Sequence, residues 1–91
     1  MDKYIFELYV FDNTVRSQRA IENLRRICED ELQGNYELTI VDLLEHPEAT
    51  AEEKIIATPT LIKKLPSPGE RIIGDLSNRE QVLGRLAIRQ W

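Results

Sequence analysis

Two runs rich in aromatic and β-branched residues, Tyr4-Ile5-Phe6-Glu7-Leu8-Tyr9-Val10 and Tyr36-Glu37-Leu38-Thr39-Ile40-Val41-Asp42-Leu43, flank a segment of a different period. From about Val15 to Leu32 the apolar residues Ala20, Ile21, Leu24, Ile27, Cys28 and Leu32 recur every three or four positions, which makes one helical stripe. A strand, helix, strand succession closes through a right-handed crossover, so the two strands are expected to lie parallel. In the first run Tyr4, Phe6, Leu8 and Val10 share one face, and Ile5, Glu7 and Tyr9 the other. Apolar groups on both faces suit a central strand with a layer packed on each side. Phe11-Asp12-Asn13-Thr14 turns the chain, with Asn13 or Thr14 placed to cap the helix, and Gly34 lies where the chain can leave it.

The second half is punctuated by proline. After the polar connection around His46 and Pro47, Thr50-Ala51-Glu52-Glu53 has capping-box spacing and predicts a short helix running through Ile56. Such a helix cannot stand alone, so Ile55 and Ile56 are expected to hold it by packing. Pro59 restricts Thr58 to extended geometry, removes a donor and tolerates the cis isomer, and locally either isomer is compatible with a strand entry. In its context Thr58-Pro59-Thr60 resembles the cis-proline loop of the thioredoxin fold. Thr60 to Leu65 then reads as a third strand, Pro66-Ser67-Pro68-Gly69-Glu70 as a turn, and Arg71-Ile72-Ile73 as the return strand of an antiparallel hairpin closed by Gly74-Asp75. Ser77-Asn78-Arg79-Glu80 is a second capping box, opening a helix with Val82, Leu83 and Leu86 on one face. The expected architecture is a single α/β domain over residues 1–91, thioredoxin-like, in the order β-α-β-α-β-β-α with cis Pro59.

Composition narrows the chemistry. A formal charge of −4, with basic residues scattered among acidic ones, argues against a nucleic-acid track. The single cysteine, Cys28, forms no internal disulfide, no basic leader precedes the first strand, and no apolar run approaches the roughly 20 residues that span a bilayer. A cytoplasmic protein with no membrane partner is expected. Where thioredoxins carry Cys-x-x-Cys, this chain has Thr14-Val15-Arg16-Ser17, and a hydroxyl cannot undergo thiol-disulfide exchange. Glycine-rich phosphate loops, paired metal-ligand histidines and nucleophile elbows are missing, Cys28 reads as a small buried hydrophobe, and His46 as a solvent-facing loop residue. No enzymatic activity, catalytic residue, cofactor or metal is expected. Arg19, Lys54, Lys63, Lys64 and Arg71 remain as cations able to meet an acidic protein surface.

The runs Ala51-Glu52-Glu53-Lys54-Ile55-Ile56-Ala57-Thr58-Pro59-Thr60-Leu61 and Ile72-Ile73-Gly74-Asp75-Leu76-Ser77-Asn78-Arg79-Glu80, with Leu8-Tyr9-Val10, Gly34-Asn35-Tyr36 and Val41-Asp42-Leu43-Leu44, resemble the KaiB circadian-clock proteins of cyanobacteria and their bacterial relatives. The likeness extends from about Tyr4 to Leu83. It implies a non-enzymatic regulator that binds the ATPase ring of KaiC and, in complete clocks, helps to sequester KaiA and displace an output histidine kinase. It also implies two folds, a thioredoxin-like monomer that binds the ring and a homo-oligomeric tetramer with a rearranged C-terminal half. A thioredoxin-fold sensor or adaptor module for a histidine kinase is the rival assignment. The residues expected at the ring interface are Lys54 and Arg71, with Lys63 and Arg19 as weaker contributors. Pro59, Gly74, Asp75, Arg85 and Ala87 are expected to determine the fold. Arg85, Ala87 and Gln90 stand where clock members carry glycine, aspartate and tyrosine. Placed in a helix, Arg85 and Ala87 would favour the thioredoxin-like form, with Gly84 and Trp91 as its weak points.

Overall fold

The computed structural model describes residues 3–88, so Trp91 and Gln90 lie outside the described residues. The elements are β1 (Tyr4–Val10), α1 (Val15–Leu32), β2 (Tyr36–Asp42), α2 (Glu48–Glu52), β3 (Thr60–Leu65), β4 (Glu70–Ile73) and α3 (Arg79–Arg85). They form a four-stranded mixed sheet in the order β2-β1-β3-β4. β1 runs parallel to β2, with Tyr4 opposite Tyr36, and antiparallel to β3, with Leu8 opposite Leu61 and a bulge between Ile5 and Phe6. β3 and β4 make the antiparallel hairpin.

The alternation of β1 divides the interior into two layers. Phe6, Leu8 and Val10 meet Ala20, Leu24, Ile27 and Cys28 of α1 and Val82 and Leu83 of α3 in the main core, whereas Tyr9 faces the other way with Leu43, Ile55 and Ile62. The first core is closed by two helices and the second by only the five residues of α2 and the loop after it. That unequal cover leaves polar side chains of β1, β3 and β4 grouped around α2.

Thr14 is the N-cap of α1, its Oγ1 accepting from the Ser17 amide at 3.1 Å. The helix ends through Gln33 at φ 50° and Gly34 at φ 84°. Thr58–Pro59 is cis, as are Leu65–Pro66 and Ser67–Pro68. Pro59 is fully buried, and its carbonyl accepts from the Gly74 amide at 2.9 Å. Gly74 itself sits at φ 126°, a conformation that L side chains rarely adopt.

Three expectations are corrected. The short helix starts at Glu48, with Pro47 in the N-cap position and Thr50 inside it, so the capping-box spacing at Thr50 is coincidental. It stops at Glu52 because Lys54 turns left-handed at φ 54°, which buries Ile55 and leaves Ile56 88% exposed. The N-cap of α3 is Asn78, one residue beyond Ser77, with its Oδ1 accepting from the Gln81 amide at 3.1 Å.

The third correction concerns Ala87. Helix α3 ends at Arg85, the Ile88 amide donates to Leu83 O at 3.0 Å, the Ala87 amide to Gly84 O at 3.3 Å, and Ala87 adopts φ 57°. This is a Schellman ending in which Ala87 occupies the left-handed position usually held by glycine. Arg85 therefore contributes helix propensity, whereas Ala87 contributes none and is strained. Residues 85–88 contain no strand.

Candidate partner-binding site

The junction that could have carried redox chemistry is closed by hydrogen bonds. Thr14 Oγ1 donates to Ser17 Oγ at 2.9 Å while accepting the Ser17 amide, and Ser17 is buried. The Thr14 hydroxyl caps α1, and the Ser17 hydroxyl is engaged by it. Cys28 lies in the main core, where burial pushes its thiol up to about 12, far from a reactive thiolate. Among the described residues no cluster of histidine, cysteine and carboxylate could hold a metal ion, and no helix is long and apolar enough to cross a membrane.

The four expected interface cations are dispersed. Arg71 is opposite Ile62 in the hairpin register and therefore shares the face on which α2 lies. Its Nη2 donates to Glu53 O at 2.6 Å and its Nη1 to Lys54 O at 3.4 Å, so Lys54 and Arg71 are neighbours. The exposed Lys54 side chain has no hydrogen bond or ion pair among the described residues. Arg19 is exposed on α1, the helix covering the opposite face.

Lys63 is withdrawn from the surface altogether. It is only 3% exposed, its Nζ donates to Leu86 O at 3.1 Å, and the ammonium lies 5.9 Å from the Tyr4 ring centroid. The physical reason is strand parity: Lys63 shares a face with Leu61, pairs with Phe6 and points under the end of α3. In this fold it secures the last turn of α3, together with Tyr4, whose hydroxyl donates to Ala87 O at 3.2 Å.

Around Lys54 the other cations are engaged. Lys64 contacts Glu53 Oε1 at 2.7 Å and Glu7 Oε1 at 3.5 Å, and the hydrogen bond to Glu53 raises its ammonium above the ordinary lysine range. Arg85 Nη2 donates to Glu70 Oε1 at 3.0 Å and to Arg71 O at 2.7 Å, and this holds the Glu70 carboxyl below the usual range. Tyr9 donates to Glu7 at 2.7 Å, and burial, reinforced by that carboxylate, pushes its hydroxyl up. Beside this network a groove of about 290 Å³ is lined by Phe11, Leu43, Thr50, Ile55, Ile56, Ala57 and Thr58. The sequence reading missed this groove, because the left-handed turn at Lys54 that releases Ile56 from the core falls at a residue type that does not announce it.

Residues 7–88 match the KaiB domain family. The chain belongs to the KaiB family. It is 53% identical over 83 residues to the circadian clock protein KaiB3 of Synechocystis sp., covering 91% of this chain and 81% of that one. To the circadian clock oscillator protein KaiB of Prochlorococcus marinus it is 55% identical over 80 residues, or 88% of this chain and 76% of the relative. Its KaiB-family fold is thioredoxin-like. The N-terminal domain of Synechococcus elongatus SasA superposes with a TM-score of 0.76 at 19% identity, covering 100% of this chain and 90% of that one. Chloroplastic thioredoxin z superposes with 0.74 at 17% identity, covering 94% and 80%. At these identities the two structures bear on the fold alone.

Proposed function

We propose that this KaiB-family protein is a non-enzymatic timing regulator that binds a KaiC-like ATPase ring through the surface around the end of α2. The observation that carries the reading is the family match over residues 7–88, with clock proteins as relatives at 53% and 55% identity. The hydroxyl-capped helix start at Thr14 and Ser17 supports a binding role, because it holds no dithiol. Lys54 is the leading contact: exposed, unpaired among the described residues, and beside an apolar groove that offers surface to desolvate. Arg71 belongs to the same surface, and Arg19 would serve only a partner that reaches around to α1. KaiA-like proteins and an output histidine kinase are further partners in this reading, and the tetrameric fold is a second state of the chain. Pro59, Gly74 and Asp75 would act on the choice between folds through the hydrogen-bonded turn that joins β4 to α3.

Titration of a KaiC-like ring with the protein, followed by size-exclusion chromatography or calorimetry, tests the proposal. A salt-sensitive complex is expected, and the double charge reversal Lys54→Glu with Arg71→Glu should weaken it clearly. Binding to a histidine-kinase sensor region but not to the ring would favour the adaptor reading instead.

A further inference from the structure

We infer that Arg71 is a positioning residue: it does not meet the partner itself but sets the conformation of the loop that presents Lys54. The inference rests on the ring-binding reading above and names how that surface is built. Lys54 adopts φ 54°, a left-handed conformation that a residue with a Cβ takes only when its surroundings impose it. Two backbone bonds impose part of it, from the Ile55 amide to Thr50 O at 2.9 Å and from the Lys54 amide to Ala51 O at 3.3 Å. The helix making those bonds is only Glu48–Glu52, and such a helix does not sustain itself.

What completes the restraint comes from the sheet. The Arg71 guanidinium donates to the carbonyls of Glu53 and Lys54, the two that follow the helix, at 2.6 and 3.4 Å. A cation at a helix C-terminus also offsets the negative end of its dipole. Lys64 holds the Glu53 side chain at 2.7 Å, so Glu53 is fixed through both its backbone and its carboxylate. Arg71 is in turn fixed by Arg85, whose Nη2 donates to Arg71 O at 2.7 Å and to Glu70 Oε1 at 3.0 Å. A chain of hydrogen bonds thus runs from the last residue of α3 through β4 to the loop after α2. Both terminal nitrogens of Arg71 are directed at backbone carbonyls, while Lys54 keeps its ammonium free among the described residues.

A double-mutant cycle separates positioning from contact. Lys54→Ala should weaken ring binding about tenfold and make it less sensitive to salt. Arg71→Ala should weaken binding by a similar factor in the wild-type background and by less than about twofold in the Lys54→Ala background, with no further loss of salt sensitivity. Additive losses, with a second drop in salt sensitivity, would show that Arg71 touches the partner and would overturn the inference. Hydrogen exchange on the free protein provides an arm independent of any partner. In Arg71→Ala the Lys54 and Ile55 amides should exchange at least about tenfold faster while Leu61 and Ile62 in β3 remain protected. Unchanged exchange at Ile55 overturns the positioning role even if ring binding falls. Failure of the wild type to bind the ring sinks the ring-binding reading, and the exchange arm then decides whether Arg71 orders the loop.

Discussion

Replacing Ala87 by glycine removes a Cβ from a residue at φ 57°, and replacing Gly84 by alanine adds one to a helical residue with open space around it. The two substitutions are opposite in kind and three residues apart, yet both should stabilise this fold. A left-handed residue with a side chain costs about 1–2 kcal/mol. Glycine there returns about 0.4–1 kcal/mol of that gain by loosening the unfolded chain. The net for Ala87→Gly is about 0.5–1 kcal/mol. Gly84→Ala lies inside α3, at an exposed position where a helix-interior glycine is worse than alanine by about 0.8–1 kcal/mol. For a domain of this size 1 kcal/mol moves Tm by about 4–8 °C, so thermal and denaturant unfolding resolve each change readily. Were residue 87 part of a continuing helix or of a strand, Ala87→Gly would instead destabilise by about 0.5–1 kcal/mol. The sign of that one shift tests the Schellman ending, and a lower Tm for Ala87→Gly would refute it.

Lys63→Glu should destabilise the protein by about 3–5 kcal/mol, because it places a carboxylate at a 3% exposed site facing the Leu86 carbonyl, whereas Lys54→Glu should change stability by less than about 0.5 kcal/mol; equal shifts in denaturant midpoint would contradict the burial of Lys63. Native Cys28, with its thiol raised to about 12 by burial, should resist maleimide at pH 8 until the protein unfolds, and Cys28→Ser should cost only about 1 kcal/mol and leave no redox activity to lose. Disulfide turnover that vanishes in Cys28→Ser would overturn this. Asp75 accepts from the Ser77 amide at 3.1 Å, and the hydrogen bonds from Ser77 hold its carboxyl below the usual range. A depressed folded value stabilises above the unfolded value and is lost as pH falls through the folded one, so Asp75→Asn should flatten the decline in stability below about pH 4. An unchanged acid limb in the midpoint-against-pH curve counts against the assignment.

The first half of the fold was legible because two periods alternate there without conflict. Helix α1 occupies Val15–Leu32 as its apolar stripe requires, and β1 divides its side chains between two layers as its alternation requires. Legibility fell where backbone geometry overrides side-chain pattern. Left-handed turns at Lys54 and Ala87 end two helices at residues with no such preference, so the end of α2 and the role of Ala87 were misplaced. Of the candidate site, Lys54 and Arg71 were named from the family likeness and do come together. Their connection runs through carbonyl oxygens, which no residue type announces. Lys63 shows the converse: its sharing of a face with Leu61 was readable from strand parity, but lysine's usual exposure outweighed it.

Hydrogen exchange of the protein in complex with a KaiC-like ring tests the central claim most directly. The claim predicts new protection confined to Thr50 to Thr58, the surface around Lys54 and its groove, with the amides of β2 and of the solvent face of α1 unchanged. Protection centred on α1 around Arg19, or none at ring concentrations that saturate binding, would contradict it.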